Sequence, residues 1–295
     1  MKLNAERKAA HPDAMQPERR PYSRTLYVAE HVMRRLYVGA WPARLWALVP
    51  GRTRVHLLEH ELQVGRPPGR PPLRIAFASD LHIGPTTPPA VLDNAFALLI
   101  QARPDVLALG GDYVFLGALH ERVAELKRRV AAVPARVKVA VLGNHDFWAR
   151  PERLADGLAE IGVHVLINRA LRLPPPHDDI AVVGLDDPVT GRVAAEAVAQ
   201  AADVAHKLAV CHSPDAIDAL VHTDVSLLLC GHTHGGAVCL PGYRPVVMPS
   251  RAGRRYPYGR HQVNGLTLFV SRGVGGSLVP VRTWAPPDVV VFTVH

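Results

Sequence analysis

The sequence predicts an α/β fold, and three observations carry the expectation. Six short, nearly continuous apolar runs stand at 73–79 (LRIAFAS), 105–111 (DVLALGG), 137–143 (VKVAVLG), 180–185 (IAVVGL), 207–211 (KLAVC) and 226–230 (SLLLC). Runs of this kind suit strands buried on both faces. Stretches with helical spacing lie between them, at 88–102, 118–132, 151–161, 192–205 and 214–222. Alternation of the two is the mark of an α/β domain. The last part, 237–295, returns to strands (LTLFVS, DVVVFTV) with little helix.

The N-terminal part has a different character. Residues 1–23 are polar, basic and proline-containing, and are expected to be a disordered tail. Over 24–50, Leu26, Ala29, Val32, Met33, Leu36, Tyr37, Ala40 and Trp41 recur at helical spacing, with Arg34, Arg35 and Arg44 between them. That pattern predicts an amphipathic basic helix, either lying on an anionic membrane or packed on the protein's own surface. RVHLLEHELQV (54–64) reads as a strand, and GRPPGRPP (65–72) as a linker that cannot hold regular structure. The main domain is therefore assigned to 54–295.

The chain of 295 residues is 48% hydrophobic, enough to build a core, and its formal charge of +8 favours an anionic partner. The excess of Arg and Lys is concentrated in residues 1–75. Three cysteines form no disulfide framework; Cys211 and Cys230 end apolar runs and read as buried free thiols, which fits a reducing, cytoplasmic setting. No apolar run approaches the ~18 residues of a membrane span, and the N-terminus lacks the apolar core of a secretory signal.

Chemistry concentrates at the strand ends. LRIAFAS is followed by Asp80 and His82, DVLALGG by Asp112, VKVAVLG by Asn144, His145 and Asp146, KLAVC by His212, and SLLLC by His232 and His234. Ligands of open α/β sheets bind outside the carboxyl ends of the strands. In an extended segment, residues two apart point to one side, so Asp80 with His82, and His232 with His234, can converge. Glycines at 110, 111, 143, 231, 235 and 236 allow the sharp turns that aim them. A single Asp after a strand is usually a turn or cap; five such positions in order point to metal. The donors are carboxylate, amide and imidazole without cysteine, which suits Zn, Mn or Fe in a hydrolytic centre. Seven ligands exceed the needs of one ion and match two.

The order D-x-H, G-D, G-N-H-D, H, G-H-x-H resembles that of the calcineurin-like metallophosphoesterases, from about Leu73 to Gly236. RRYPYGRH, LFVSRGVGGSLVPVR and PPDVVVF extend the likeness to a bacterial branch associated with membranes or the cell envelope, which includes phosphodiesterases and UDP-2,3-diacylglucosamine pyrophosphatases. The resemblance implies a four-layer α/β/β/α sandwich of two mixed sheets flanked by helices. It implies that Asp80, His82 and His234 hold one ion, that Asn144, His212 and His232 hold the other, and that Asp112 bridges them. His145 would face the leaving-group oxygen, and Asp146 would either hold His145 or cap the following helix. The branch often has Gln where this chain has Ala237, and an N-terminal span or export signal where this chain has the amphipathic stretch.

The expected activity is hydrolysis of a phosphodiester or pyrophosphate, lipid-linked in keeping with the envelope branch, by in-line attack of a metal-bridging hydroxide. Arg254, Arg255 and Tyr256 are candidate substrate contacts; Arg251, Tyr258, Arg272 and Arg282 are further ones, and Asp186 and Asp187 follow a strand toward the same edge. The expected setting is cytoplasmic, peripheral to the inner membrane face if residues 24–50 lie on the bilayer rather than on the protein's own surface. Two alternatives stay open: a nuclease on the same scaffold, ranked lower because no nucleic-acid module is visible, and a binding module that kept the fold without catalysis.

Overall fold

The computed structural model describes residues 19–20 and 24–295. Apart from Arg19 and Arg20, the tail expected over 1–23 lies outside the described residues. The expected helix over 24–50 is two helices, α1 (Arg24–Leu36) and α2 (Trp41–Ala47). They are separated at Gly39 and Ala40, whose φ of 71° and 53° cannot continue an α-helix.

Two six-stranded sheets follow. The first has the order β1-β14-β2-β3-β4-β5, built from His56–Leu62, Asp288–Val294, Leu73–Ala78, Val106–Leu109, Val137–Ala140 and His164–Val165. All of its pairs are parallel except β14 with β2. The second has the order β12-β13-β9-β8-β7-β6, built from Gly259–Val263, Leu266–Val270, Val225–Cys230, His206–Val210, Ile180–Gly184 and Arg169–Arg172. Its outer pairs, β12 with β13 and β6 with β7, are antiparallel around a parallel centre.

Strand alternation explains why the runs are apolar throughout. On β2, Leu73, Ile75 and Phe77 enter the core between the sheets, where they join Leu227 and Leu229 of β9 and Phe292 of β14. Ala76 and Ala78 face the other way, into the layer of helices α3 (Pro89–Ala102), α4 (His120–Ala132) and α6 (Pro151–Glu160). Each helix covers the sheet with one stripe, for example Leu92, Ala95, Phe96 and Leu99 on α3. The outer face of the second sheet, with Leu228 and Cys230, is covered by shorter elements. These are a 3₁₀ turn at Ala195–Ala201 and the single turn α7 (Ile217–Leu220), where longer helices were expected over 192–205 and 214–222. The first is pinned at both ends to Asn168, just before β6, since Ala194 N donates to Asn168 Oδ1 and Gln200 Nε2 to Asn168 O; a 3₁₀ turn covers more length per residue. The second has only the short stretch between β8 and β9.

The architecture is thus the expected α/β/β/α sandwich of two mixed sheets. The strands at both chain ends belong to one sheet: β14 sits between β1 and β2. Short α5 (Asn144–Ala149), the hairpin β10 (Cys239–Leu240) with β11 (Arg244–Pro245), and α8 (Arg251–Arg255) stand outside the two six-stranded sheets. No described helix is long and apolar enough to cross a membrane.

Candidate metal centre

The two sheets deliver their strand ends to one place. The first contributes Asp80 and His82 after β2, Asp112 after β3 and Asn144 at the start of α5; the second contributes His212 after β8 and His232 and His234 after β9. Asp80, His82 and His234 form one group of ligand atoms and Asp80, Asp112 and His212 another, each within 4.8 Å. His234 Nε2 lies 3.2 Å from His82 Nε2 and 3.4 Å from Asp80 Oδ1. His212 Nε2 lies 3.2 Å from Asp112 Oδ2, and His232 Nδ1 lies 3.2 Å from His212 Nε2. Backbone bonds lock the ends together: His82 N donates to Asp112 O, Gly231 N to His212 O, and His232 N to the Asp80 carboxylate at 3.0 Å.

The residues present fit metal ions. Burial without a partner is costly for a polar atom, yet Asn144 Oδ1 is buried beside the cluster without a hydrogen-bond partner. The donor set of carboxylates, imidazoles and an amide suits divalent transition ions. His212 also shows the support typical of a ligating imidazole: Nδ1 lies 2.8 Å from Gly110 O, which leaves Nε2 to face the cluster.

The way the side chains converge differs from the extended-strand expectation. Asp80, His82, Asp112, His232 and His234 themselves take left-handed φ, from 41° to 69°. Each such residue costs roughly 1–3 kcal/mol, strain that folds retain at functional sites. Two of the glycines serve close approach instead. A Cβ at Gly143 would collide with the Asp112 carboxylate, and one at Gly231 with Ser79 and Asp80.

Charge is tightly balanced. Burial opposes ionisation of Asp112, but His212, then His145 and His82, hold its carboxyl well below the usual carboxylate range. Burial likewise opposes charge on His212, and Asp112 and Asp80 outweigh it, holding that imidazole well above its ordinary range. Burial pushes His82 well down, and burial with Arg282 does the same to His234. Burial and the neighbouring His212 press His232 down to about 4.

His145 stands beside the cluster, its ring 5.0 Å from that of His82. Burial works against its charge, but Asp112 and then Glu30 raise its pKa. Of the two roles expected for Asp146, the geometry has the capping one. Its carboxylate accepts from the backbone N–H of Asp112 at 2.7 Å, Tyr113 at 2.8 Å and Gly143 at 3.0 Å. The group facing His145 is Glu30 of α1, whose Oε1 lies 3.6 Å from His145 Nδ1. No local signal in the sequence links residues so far apart.

A groove of about 510 Å³ opens from the cluster, lined by Asp112, Asn144, His145, His232 and His234 on one side. Val238, Val246, Val247, Leu278 and Val279 form its apolar wall, and buried Arg282 reaches it, donating to His234 Nδ1 at 2.9 Å. Arg254, Arg255 and Tyr256 do not line it. Asp215 captures the start of α8 through Ser250 Oγ and Ala252 N, so Arg254 and Arg255 are exposed, and Tyr256 packs its ring against His261. Arg272 is spent on Asp288, with Nε 2.7 Å from Oδ2. Asp186 pairs with Arg19, and Asp187 is bonded to Thr190. The cysteines 211, 230 and 239 are all unpaired and buried.

Comparison with known proteins agrees with this arrangement. Residues 73–236 match the family described as calcineurin-like phosphoesterase. The chain is 29% identical over 224 residues to phosphodiesterase YaeI of Escherichia coli, covering 75% of this chain and 82% of that protein. It is 29% identical over 235 residues to metallophosphoesterase YkuE of Bacillus subtilis, covering 77% and 80%. Among solved structures, a 5'-nucleotidase precursor from Thermus thermophilus superposes at a TM-score of 0.46 with 15% identity over 75% of this chain and 55% of that one, too loose a likeness to bear on function. A family match across more than half of the chain places the protein in the calcineurin-like phosphoesterase family, and with it among the metal-dependent phosphoester hydrolases.

Proposed function

We propose that the protein is a dinuclear phosphodiesterase. The observation that carries this is the convergence of four imidazoles, two carboxylates and an amide with a buried, unpartnered oxygen at the junction of the two sheets. Asp80, His82 and His234 would hold one ion, Asn144, His212 and His232 the other, and Asp112 would lie between both. Bound divalent ions (Zn, Mn or Fe) supply Lewis acidity toward the phosphoryl oxygens and activate water as the nucleophile.

The chain's own residues do the rest. His145 holds a proton at the rim of the cluster and gives it to the departing oxygen as general acid. Asp112 and Glu30 favour the protonated imidazole, and its main-chain N–H donates to Asp112 Oδ1 at 2.9 Å, which fixes its place. Buried Arg282 braces His234 and adds positive charge beside the groove. The apolar wall excludes water from the leaving group. Diesters are favoured over monoesters by analogy with the relative named a phosphodiesterase. Residues 54–295 act as one catalytic domain to which the N-terminal helix adds Glu30, and the unpaired, buried thiols support a reducing, cytoplasmic setting.

The test is elemental analysis of the purified protein, with turnover of bis-p-nitrophenyl phosphate and p-nitrophenyl phosphate after adding back Mn or Zn. About two ions per chain and a higher rate on the diester are expected. Metal-loaded protein inert to both substrates would leave the non-catalytic binding module in its place.

A further inference from the structure

The mouth of the groove is ringed by apolar side chains. Among the described residues, every exposed large hydrophobic side chain except Ile100 and Leu119 lies in 28–49, 238–247 or 278–284. These segments are contiguous. Tyr37 Oη donates to Leu278 O at 3.2 Å, and Arg52 Nη1 to Arg282 O at 3.0 Å. Cys239 N donates to Thr283 O at 3.0 Å, and the rings of Tyr243 and Trp284 lie 6.3 Å apart. Exposure is high, at 77% for Leu48, 73% for Val38 and 69% for Val247. Apolar residues scattered singly are ordinary on a protein surface; a continuous set rimmed by polar groups marks an interaction site.

The charges on this face have one sign. No Asp or Glu occurs between Asp224 and Asp288, and between Arg24 and Val55 the only one is Glu30, which faces His145. Arg35, Arg44, Arg244, Arg251 and Arg254 are exposed. Trp41, Tyr243 and Trp284, each about half exposed, are residues suited to the boundary between headgroups and acyl chains.

We propose that this face docks on an anionic phospholipid bilayer, its aliphatic side chains entering the acyl boundary and its arginines meeting headgroup phosphates. The expected contact through residues 24–50 is then only half of the surface; the hairpin β10–β11 and the segment 278–284 form the other half. Resting on the proposed function, one consequence concerns the substrate. The groove opens where the bilayer would lie, so the phosphoester that reaches the centre is one carried by a membrane lipid, with its chain along Val246, Val247 and Leu278.

The experiment is flotation of the full-length protein with vesicles of phosphatidylcholine plus phosphatidylglycerol, and with phosphatidylcholine alone. Wild type is expected to float with the mixed vesicles and to be released by salt. Leu45→Gln with Leu48→Gln, and separately Leu240→Gln, should each weaken partitioning by about tenfold or more, with bis-p-nitrophenyl phosphate turnover unchanged. Wild type that hydrolyses the soluble diester but stays off the mixed vesicles would overturn the docking and leave the enzyme reading standing. Flotation unaffected by either set of substitutions would overturn it too. A dimer in light scattering that the same substitutions dissociate, without vesicle binding, would assign the face to a second copy of the chain. Loss of soluble-diester turnover by metal-loaded wild type would instead sink the proposed function, with flotation read independently.

Discussion

His145 and Asp187 are both titratable groups near the cluster, and they do different work. His145 reaches the groove, and its side chain touches Glu30 and the rings of Phe115, Trp148 and His82, none of which needs it to hold an element in place. His145→Ala is therefore expected to keep its metal by elemental analysis. It should slow hydrolysis of an alkyl phosphodiester by about 10²–10⁴-fold, the usual worth of a positioned acid, and hydrolysis of a p-nitrophenyl ester far less. Asp187 is buried, and burial raises its carboxyl to about 6 from an ordinary 3.8. Its folded pKa is raised, so the unfolded chain gives up this proton first. Stability from this group is full below the unfolded value and falls as pH rises toward 6, by about 2–3 kcal/mol. In chelated, metal-free protein, Asp187→Asn should flatten that fall, measured as urea stability at pH 4 and at pH 6.5.

At the scale of elements, what matters is how closely the strand ends approach each other. The β9 end passes so near the β2 end that Gly231 leaves no space for a Cβ beside Ser79 and the Asp80 carboxylate. Gly231→Ala should move Asp80, a member of both ligand groups, and the purified protein should lose most of its metal while its circular dichroism stays near that of wild type. The ligand-bearing strands were legible in the sequence because they are buried on both faces and therefore apolar without interruption. Covering elements on the second sheet were less legible. The stretches 192–205 and 214–222 have helical composition, but Asn168 and the short path from β8 to β9 decide their form, and neither is local.

Across the whole molecule, the C-terminal strand closes the first sheet between β1 and β2, and its Phe292 ring packs 5.6 Å from that of Phe269 in the opposite sheet. Phe292→Ala should cost about 3–5 kcal/mol, read from denaturant midpoints, and should weaken metal retention less than Gly231→Ala does. The sequence by itself determined the α/β class, the order of the candidate ligand types and their position at strand ends, because alternation, apolar runs and the residues that follow them are properties of neighbouring positions. Only the tertiary structure decided that Glu30 meets His145, that Asp146 is occupied by main-chain amides, and that Arg254, Arg255 and Tyr256 stand away from the groove. It also decided that 28–49, 238–247 and 278–284 form one apolar rim. Each of these depends on contacts between segments far apart in the chain, which are set by how the two sheets and the N-terminal helices pack rather than by any local pattern.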